Sequence, residues 1–169
     1  DLQGNSSVNT GAGHDTVIIQ GDLDNATVST GTGDDTVNVH NMSHGTVDTG
    51  SGNDTVTIDS LEDDSLINTG TGNDTVILDN VSSGFDDGSV SLGTGDDTLT
   101  IDDSLRGTDA TFDGGEGTDS LTFENVSKEN WDDGVKDNFT NFENVTFSDG
   151  SSLDLTDTTA SAPVLTVSI

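Results

Sequence analysis

The chain has 169 residues, only 28% of them hydrophobic, and its 33 acidic side chains outnumber 3 basic ones to give a net charge of −30. Low hydrophobicity with high net charge is typical of disordered chains, so folding needs a source of positive charge. A bound divalent cation would supply it, and its binding free energy would then contribute to folding. The acidity excludes a nucleic-acid-binding surface and argues against an anionic membrane surface. No cysteine is present, which excludes disulfides and thiolate metal sites.

Repeats begin close to the N-terminus. Residues 5–10 match half of a repeat, so we expect the natural protein to continue upstream. A phrase Gly-x-Gly-x-Asp, followed by Thr or Ser and then by Val or Leu, occurs in six copies, with first glycines 20, 19, 20, 23 and 22 residues apart. Such a period predicts stacked structural repeats. The six copies span 11–17, 31–37, 50–56, 70–76, 93–99 and 115–121.

Each repeat predicts two short strands and two turns. In the unit 50–69, a Gly-rich turn precedes the alternating strand 55–58, a second turn covers 59–64 and a second strand covers 65–69. The other units overlay on it and predict an inward set of apolar columns. These are Val17/Ile19, Val37/Val39, Val56/Ile58, Val76/Leu78, Leu99/Ile101 and Leu121/Phe123 on the first strand, Leu23, Met42, Leu61, Val81, Leu105 and Val126 at the second turn, and Val8, Val28, Val47, Ile67, Val90 and Phe112 on the second strand.

A coil of this kind cannot bury its apolar side alone, so stacking must create the core. The sequence therefore predicts an all-β fold: a right-handed parallel β-solenoid, or β-roll, of about six two-strand coils over residues 1–121. Residues 122–155 concentrate the aromatic side chains and predict a C-terminal cap, with a short helix within 127–138 that has Ser127 as N-cap. Residues 156–169 are expected to form a tail or a junction.

The repeated turn has the chemistry of a calcium site. Its two glycines let the backbone curl and direct carbonyl oxygens inward, and its aspartate adds an anionic oxygen. Ca²⁺ takes 6–8 such oxygens, which two stacked turns can provide, whereas Mg²⁺ demands tighter geometry. Zinc lacks suitable ligands, and His14 is expected to be solvated. The paired aspartates at 63–64, 86–87, 102–103 and 132–133 lie outside the repeated column and are expected to form a solvated acidic face.

The tandem phrase resembles the RTX repeat of bacterial secreted proteins, here with a longer period and with the motif on one side only. It is similar to the one-sided calcium solenoids of very large RTX adhesins, including an ice-binding region with x-Gly-Thr-Gly-Asn-Asp turns. The resemblance implies about five Ca²⁺ ions, each held between successive turns by backbone carbonyls and two aspartates. The implied metal-site residues are Gly11, Gly13, Asp15, Thr30, Gly31, Thr32, Gly33, Asp35, Thr49, Gly50, Ser51, Gly52, Asp54, Thr69, Gly70, Thr71, Gly72, Asp74, Leu92, Gly93, Thr94, Gly95, Asp97, Gly114, Glu116 and Asp119.

The resemblance implies a calcium-rigidified, monomeric module of a secreted or cell-surface adhesin. Such a module would be exported by type I secretion, would fold on extracellular calcium and would contact neighbouring domains of a larger protein, without nucleic acid and without membrane insertion. The first alternative is ice binding through the outward side of the calcium turns, which coil-length variation and the changing outward residues disfavour. Others are an accessory module of a secreted enzyme, and sugar stacking on Trp131, although a core role for this tryptophan is favoured. No Ser–His–Asp arrangement is visible, so no intrinsic catalysis is expected.

Overall fold

Two parallel sheets face each other across a thin apolar core, as the computed structural model of the chain shows for residues 1–81, 85–102, 105, 109–131 and 135–155. The predicted all-β parallel solenoid is therefore confirmed. The first sheet has nine strands in the order β1 (Leu2–Gln3), β3 (Thr16–Asp24), β5 (Thr36–Ser43), β7 (Thr55–Glu62), β9 (Thr75–Leu78), β11 (Thr98–Ile101), β13 (Ser120–Phe123), β15 (Asn144–Thr146) and β16 (Ser152–Asp154).

The second sheet has seven strands, in the order β14 (Phe139–Thr140), β12 (Thr111–Asp113), β10 (Ser89–Ser91), β8 (Leu66–Asn68), β6 (Thr46–Ser51), β4 (Thr27–Thr32) and β2 (Ser7–Ala12). Neighbouring strands within each sheet come from successive coils and are parallel, except that β16 runs antiparallel to β15. Strands β14 and β15 come from the segment predicted as a cap, so the stack continues one coil beyond the six copies of the phrase.

The predicted apolar columns form the core. Inward residues of the first strand, such as Val56 and Ile58, are fully buried, as are Leu61 at the second turn and Ile67 on the second strand. Coils stay in register because equivalent residues pair, for example Val56 with Val76. A column of small residues, which includes Gly45, faces the large apolar side chains. A Cβ at Gly45 would lie 3.1 Å from side-chain atoms of both Leu23 and Met42, so a larger residue would be crowded there.

The second turn, predicted over residues 59–64, is shorter in the structure. Strand β7 continues to Glu62, so the chain reverses at Asp63 and Asp64, whose φ angles are +24° and +37°. In the sequence, all the extra residues of the two longest coils fall between their first and second strands. Val76 and Val90 are 14 residues apart, whereas Val56 and Ile67 are 11 apart, yet both coils keep three residues from the second-strand apolar residue to the next motif glycine. The motif turns therefore stack regularly despite the variation in coil length.

The C-terminal coil is closed by aromatic side chains. Within the segment where a helix was predicted, a short helix, α1 (Lys128–Trp131), starts directly after Ser127, and Val135–Asn138 form a 3-10 helix. Trp131 is 5% exposed and its ring lies 5.5 Å from Phe123 and 5.4 Å from Phe139. This burial makes it a core residue rather than a surface for sugar stacking. Residues 156–169, predicted as a tail, lie outside the described part. No helix among the described residues is long and apolar enough to span a membrane.

Candidate metal centre and the turn surface

The motif turns approach each other too closely for side chains at either glycine. Both glycine columns have positive φ, for example +94° at Gly70 and +128° at Gly72. A Cβ at Gly72 would lie 1.9 Å from the carbonyl oxygen of Gly52, and one at Gly70 would lie 2.2 Å from that of Gly50. Glycine is therefore required twice per turn by backbone conformation, and in every turn after the first also by contact with the coil below.

The motif aspartates form one buried column along the stack. The side chains of Asp35, Asp54, Asp74 and Asp97 are each 1% exposed, and Asp119 is fully buried. Each Oδ1 accepts a hydrogen bond from the backbone N–H of the aspartate one coil earlier. These bonds join Asp15 N to Asp35 Oδ1, Asp35 N to Asp54 Oδ1, Asp54 N to Asp74 Oδ1, Asp74 N to Asp97 Oδ1 and Asp97 N to Asp119 Oδ1, at 2.7–2.8 Å.

The other carboxylate oxygen of every motif aspartate is buried without a hydrogen-bond partner. This holds for Oδ2 of Asp15, Asp35, Asp54, Asp74, Asp97 and Asp119. An unpaired buried carboxylate is costly, and six in one column repel each other. A cation between successive turns removes both costs, so this orphaned column fits a hard, oxygen-seeking ion such as Ca²⁺.

Burial and mutual repulsion raise the pKa of several carboxyl groups in this column. Burial raises the pKa of Asp54, Asp74 and Asp119, and it raises that of Asp97 to about 6. Neighbouring carboxylates of the column add to the increase, as Asp35 does for Asp54 and Asp74 does for Asp97. Hydrogen bonds from backbone N–H groups oppose it but do not cancel it.

Backbone carbonyls predicted as ligands join the coils by hydrogen bonds. Thr71 O accepts from Gly52 N at 2.9 Å, and Gly50 O accepts from Thr71 N at 3.0 Å. Equivalent bonds from glycine N–H groups reach the carbonyls of Thr32, Ser51, Thr94 and Glu116. A carbonyl oxygen has two lone pairs, so one hydrogen bond leaves capacity for a cation.

A threonine column precedes the first motif glycine and was not predicted to have a side-chain role. The Thr49 hydroxyl donates to Thr69 O at 3.2 Å, and the Thr69 hydroxyl donates to Leu92 O at 2.7 Å. Thr30, Thr49 and Thr69 are fully buried. The column ends at Leu92 and Gly114, which occupy equivalent positions in the later coils. The recurrence of threonine at this position in the sequence was a signal for this role.

All the sequence-predicted metal-site residues lie on the motif side of the stack. At each gap, one hydrogen bond joins the two motif aspartates of successive turns, and further hydrogen bonds use backbone carbonyls of the same turns. Within the described residues, no group of three or more His, Asp or Glu side chains converges on one point. Carbonyl oxygens would therefore have to supply most ligands at each gap, as the resemblance implies. The individual ligand assignments and the number of ions remain predictions.

A second side-chain ladder runs along the outside of the same turns. Asp34 Oδ1 accepts from Asn53 N at 2.8 Å, Asn53 Oδ1 accepts from Asn73 N at 2.8 Å, and Asn73 Oδ1 accepts from Asp96 N at 3.0 Å. Here the acceptor belongs to the lower coil, so this ladder runs opposite to that of the buried aspartates. His14 occupies the first position: it is exposed as predicted, but its Nδ1 accepts from Asp34 N at 2.9 Å.

Next to this ladder, the residues between the two glycines form an exposed row. Bridges pair Thr32 with Ser51, Ser51 with Thr71, and Thr71 with Thr94. The side chains of Thr32, Thr71 and Thr94 are exposed and Ser51 is half-buried. We call the two rows together the turn face, made of Thr32, Ser51, Thr71 and Thr94 in one row and Asp34, Asn53, Asn73 and Asp96 in the other.

The aspartate column ends at a residue that the sequence prediction missed. Glu143 Oε2 accepts the Asp119 N–H at 2.7 Å, as the next aspartate does in every earlier coil. The pairing of Ser120 with Asn144 places Glu143 directly over Asp119. The sequence Glu143-Asn-Val145, an acidic residue two before an inward valine, was the available signal.

Comparison with known proteins gives two matches. Residues 111–160 match the model of a family described as a bacterial antifreeze protein repeat. The chain is also similar to the crystal structure of a hyperactive, Ca²⁺-dependent, β-helical antifreeze protein from an Antarctic bacterium, with 29% identity and a TM-score of 0.65 over 88% of this chain. The chain spans about half of that structure, 53% of its length. No curated protein matches. The chain is thus similar to antifreeze β-solenoids, and neither comparison contains evidence for an adhesin.

Proposed function

We propose that the chain is a calcium-dependent ice-binding module that contacts ice through the turn face. The adhesin interpretation was the leading expectation from the sequence, with ice binding as its alternative. The similarity to a bacterial antifreeze repeat and to a Ca²⁺-dependent antifreeze solenoid supports the alternative instead. Secretion and a bacterial extracellular setting fit this function, because ice forms outside cells.

The observation behind the proposal is the regularity of the turn face. Successive coils are joined by bridges through Thr32, Ser51, Thr71 and Thr94, and parallel strands repeat at about 4.8 Å. The hydrogen-bonded ladder from Asp34 to Asp96 fixes the second row. Two aligned rows of small polar groups offer water a repeating template, which an irregular polar surface cannot do.

Coil-length variation does not disturb this surface. In the sequence, the extra residues of the fourth and fifth coils fall between first and second strands and outside the motif turns, and the turn face keeps its register. The sequence argument that variable coil length disfavours ice binding is therefore wrong. The face is imperfect only at its ends, where Ala12 and Glu116 replace the hydroxyl residues.

Calcium would act in this function as a structural ion that neutralises the buried column. The turns present their outward residues at fixed spacing only if their inner sides stack closely, and six unpaired carboxylates oppose that stacking. Nothing in the site indicates catalysis: the buried carboxylates hold backbone N–H groups and, as we propose, metal. No observation favours an adhesin or an enzyme accessory role over ice binding, so we do not propose either.

A bulky substitution on the turn face tests the proposal. Thr71→Tyr places a large exposed ring in the middle of the first row, where it blocks contact with a flat crystal plane. The matched control is Thr27→Tyr, at an exposed threonine of β4 outside the face. In calcium, we expect thermal hysteresis to fall strongly for Thr71→Tyr and to stay at the wild-type level for Thr27→Tyr, with circular dichroism unchanged in both. Equal activity of the two variants would exclude the turn face as the ice-binding surface.

A further inference from the structure

A gap lies between the last motif turn and the cap. The residues above this gap do not belong to any copy of the repeated phrase. Below it lies the turn of Gly115, Gly117 and Asp119, and above it lies the short turn 141–143. Strand β12 pairs Asp113 with Thr140, so Asn141 lies over Gly114. Strand β13 pairs Ser120 with Asn144, so Glu143 lies over Asp119. Asn141 and Glu143 therefore occupy the positions that Thr30 and Asp35 occupy above the first turn.

The upper turn of this gap is shorter than every other. Four residues separate Thr30 from Asp35, but only Phe142 separates Asn141 from Glu143. The shorter turn has no Gly-x-Gly segment, and the column changes from aspartate to the longer glutamate at this coil. The glutamate still accepts the Asp119 N–H at 2.7 Å. One more methylene thus keeps a carboxylate in the column where the backbone is cut short.

Two further oxygens border the same small space. A Cβ at Gly114 would lie 2.1 Å from Asn141 O and 2.9 Å from Asp119 Oδ2. Asp119 is fully buried, and its Oδ2 has no hydrogen-bond partner. A side chain at position 114 would fill this space, whereas glycine leaves it open between a carboxylate oxygen and a carbonyl oxygen. A buried carboxylate oxygen close to a carbonyl oxygen suits a hard cation such as Ca²⁺.

We propose that Asp119, Asn141 and Glu143 form a further calcium site between the last motif turn and the cap. The inference rests on calcium binding by the turn stack, which is one part of the proposed function, and it does not depend on ice binding. The site lacks the carbonyl that the residue between two glycines would supply, so it is weaker than the interior sites. Its occupation links the fold of the cap to calcium, because Phe142 is buried against the aromatic cluster.

The cap contains its own spectroscopic probe. Trp131 is the only tryptophan, and it packs against Phe123, Phe139 and Phe147. Its fluorescence therefore reports the cap, while far-ultraviolet circular dichroism reports the whole stack. Glu143→Gln keeps an oxygen that can accept the Asp119 N–H but loses the charge. Glu124→Gln removes the same charge from an exposed position one strand earlier and is the matched control.

The experiment is a calcium titration of the full chain, followed by both signals, with a count of bound ions at saturation. For Glu143→Gln we expect the calcium midpoint of Trp131 fluorescence to rise at least about tenfold, because ligand charge sets affinity. We expect the count to fall by one ion, and both results to be normal for Glu124→Gln. Equal midpoints or equal ion counts in the two variants would overturn the inference. A wild-type chain that binds no calcium would instead overturn the calcium part of the proposed function.

Discussion

Replacing one buried aspartate by asparagine should have opposite effects on stability with and without calcium. Asp74 lies in the middle of the column, 1% exposed, with Oδ1 bonded to Asp54 N at 2.8 Å and Oδ2 unpaired. Asp74→Asn keeps the size and the hydrogen-bond acceptor but removes the charge. In EDTA, relief of an unneutralised buried carboxylate should stabilise the fold by about 1 kcal/mol.

With calcium, the same substitution removes a ligand from the gaps on either side of Asp74. One ion at a free concentration of about 100 Kd contributes about 2.7 kcal/mol to folding. Loss of one ion should then lower Tm by roughly 5–10 °C for a chain of this size. Thermal unfolding by circular dichroism measures both effects, with the exposed Asp79→Asn of the same coil as control. Destabilisation of similar size in EDTA and in calcium would refute a metal role for the column.

Two further predictions concern the turn backbone and the metal-free state. Gly72→Ala should destabilise far more than Gly13→Ala in thermal melts: both positions have similar φ (+128° and +126°), but only Gly72 lies over a carbonyl, that of Gly52, which a Cβ would meet at 1.9 Å. Equal losses would show that conformation alone requires glycine. In EDTA, stability should fall as pH rises from about 4 to 7, because burial raises the pKa of Asp97 to about 6 and the folded chain then binds more protons than the unfolded one. Melting temperatures that rise over this range would contradict the account.

The fold was predictable because each column repeats one physical requirement six times. Inward Val56, Leu61 and Ile67 specify a two-sided core, and the glycine pairs specify a turn that admits another turn above it. Registers between coils followed from the period. Strand ends were less predictable, since β7 continues to Glu62 where a turn was expected.

The buried aspartate column of the candidate site was predictable in position but not in its hydrogen bonds. The fixed aspartate identified the column, yet one-dimensional spacing gives no sign that Oδ1 is used by a backbone N–H and Oδ2 is left free. Glu143 was missed because its turn has lost the glycines that define the phrase. Total coil length is a poor guide to the regularity of the turn face, because the distance from the second strand to each motif glycine stays constant while the coil length varies.

The central claim is that calcium between the turns creates an ice-binding surface. Thermal hysteresis of a single sample of the full chain, measured in calcium, after EDTA and after calcium is restored, tests it most directly. The account predicts activity in calcium, its loss together with a fall in melting temperature in EDTA, and recovery of both on readdition. Absence of thermal hysteresis in calcium, or activity that survives EDTA unchanged, would contradict it.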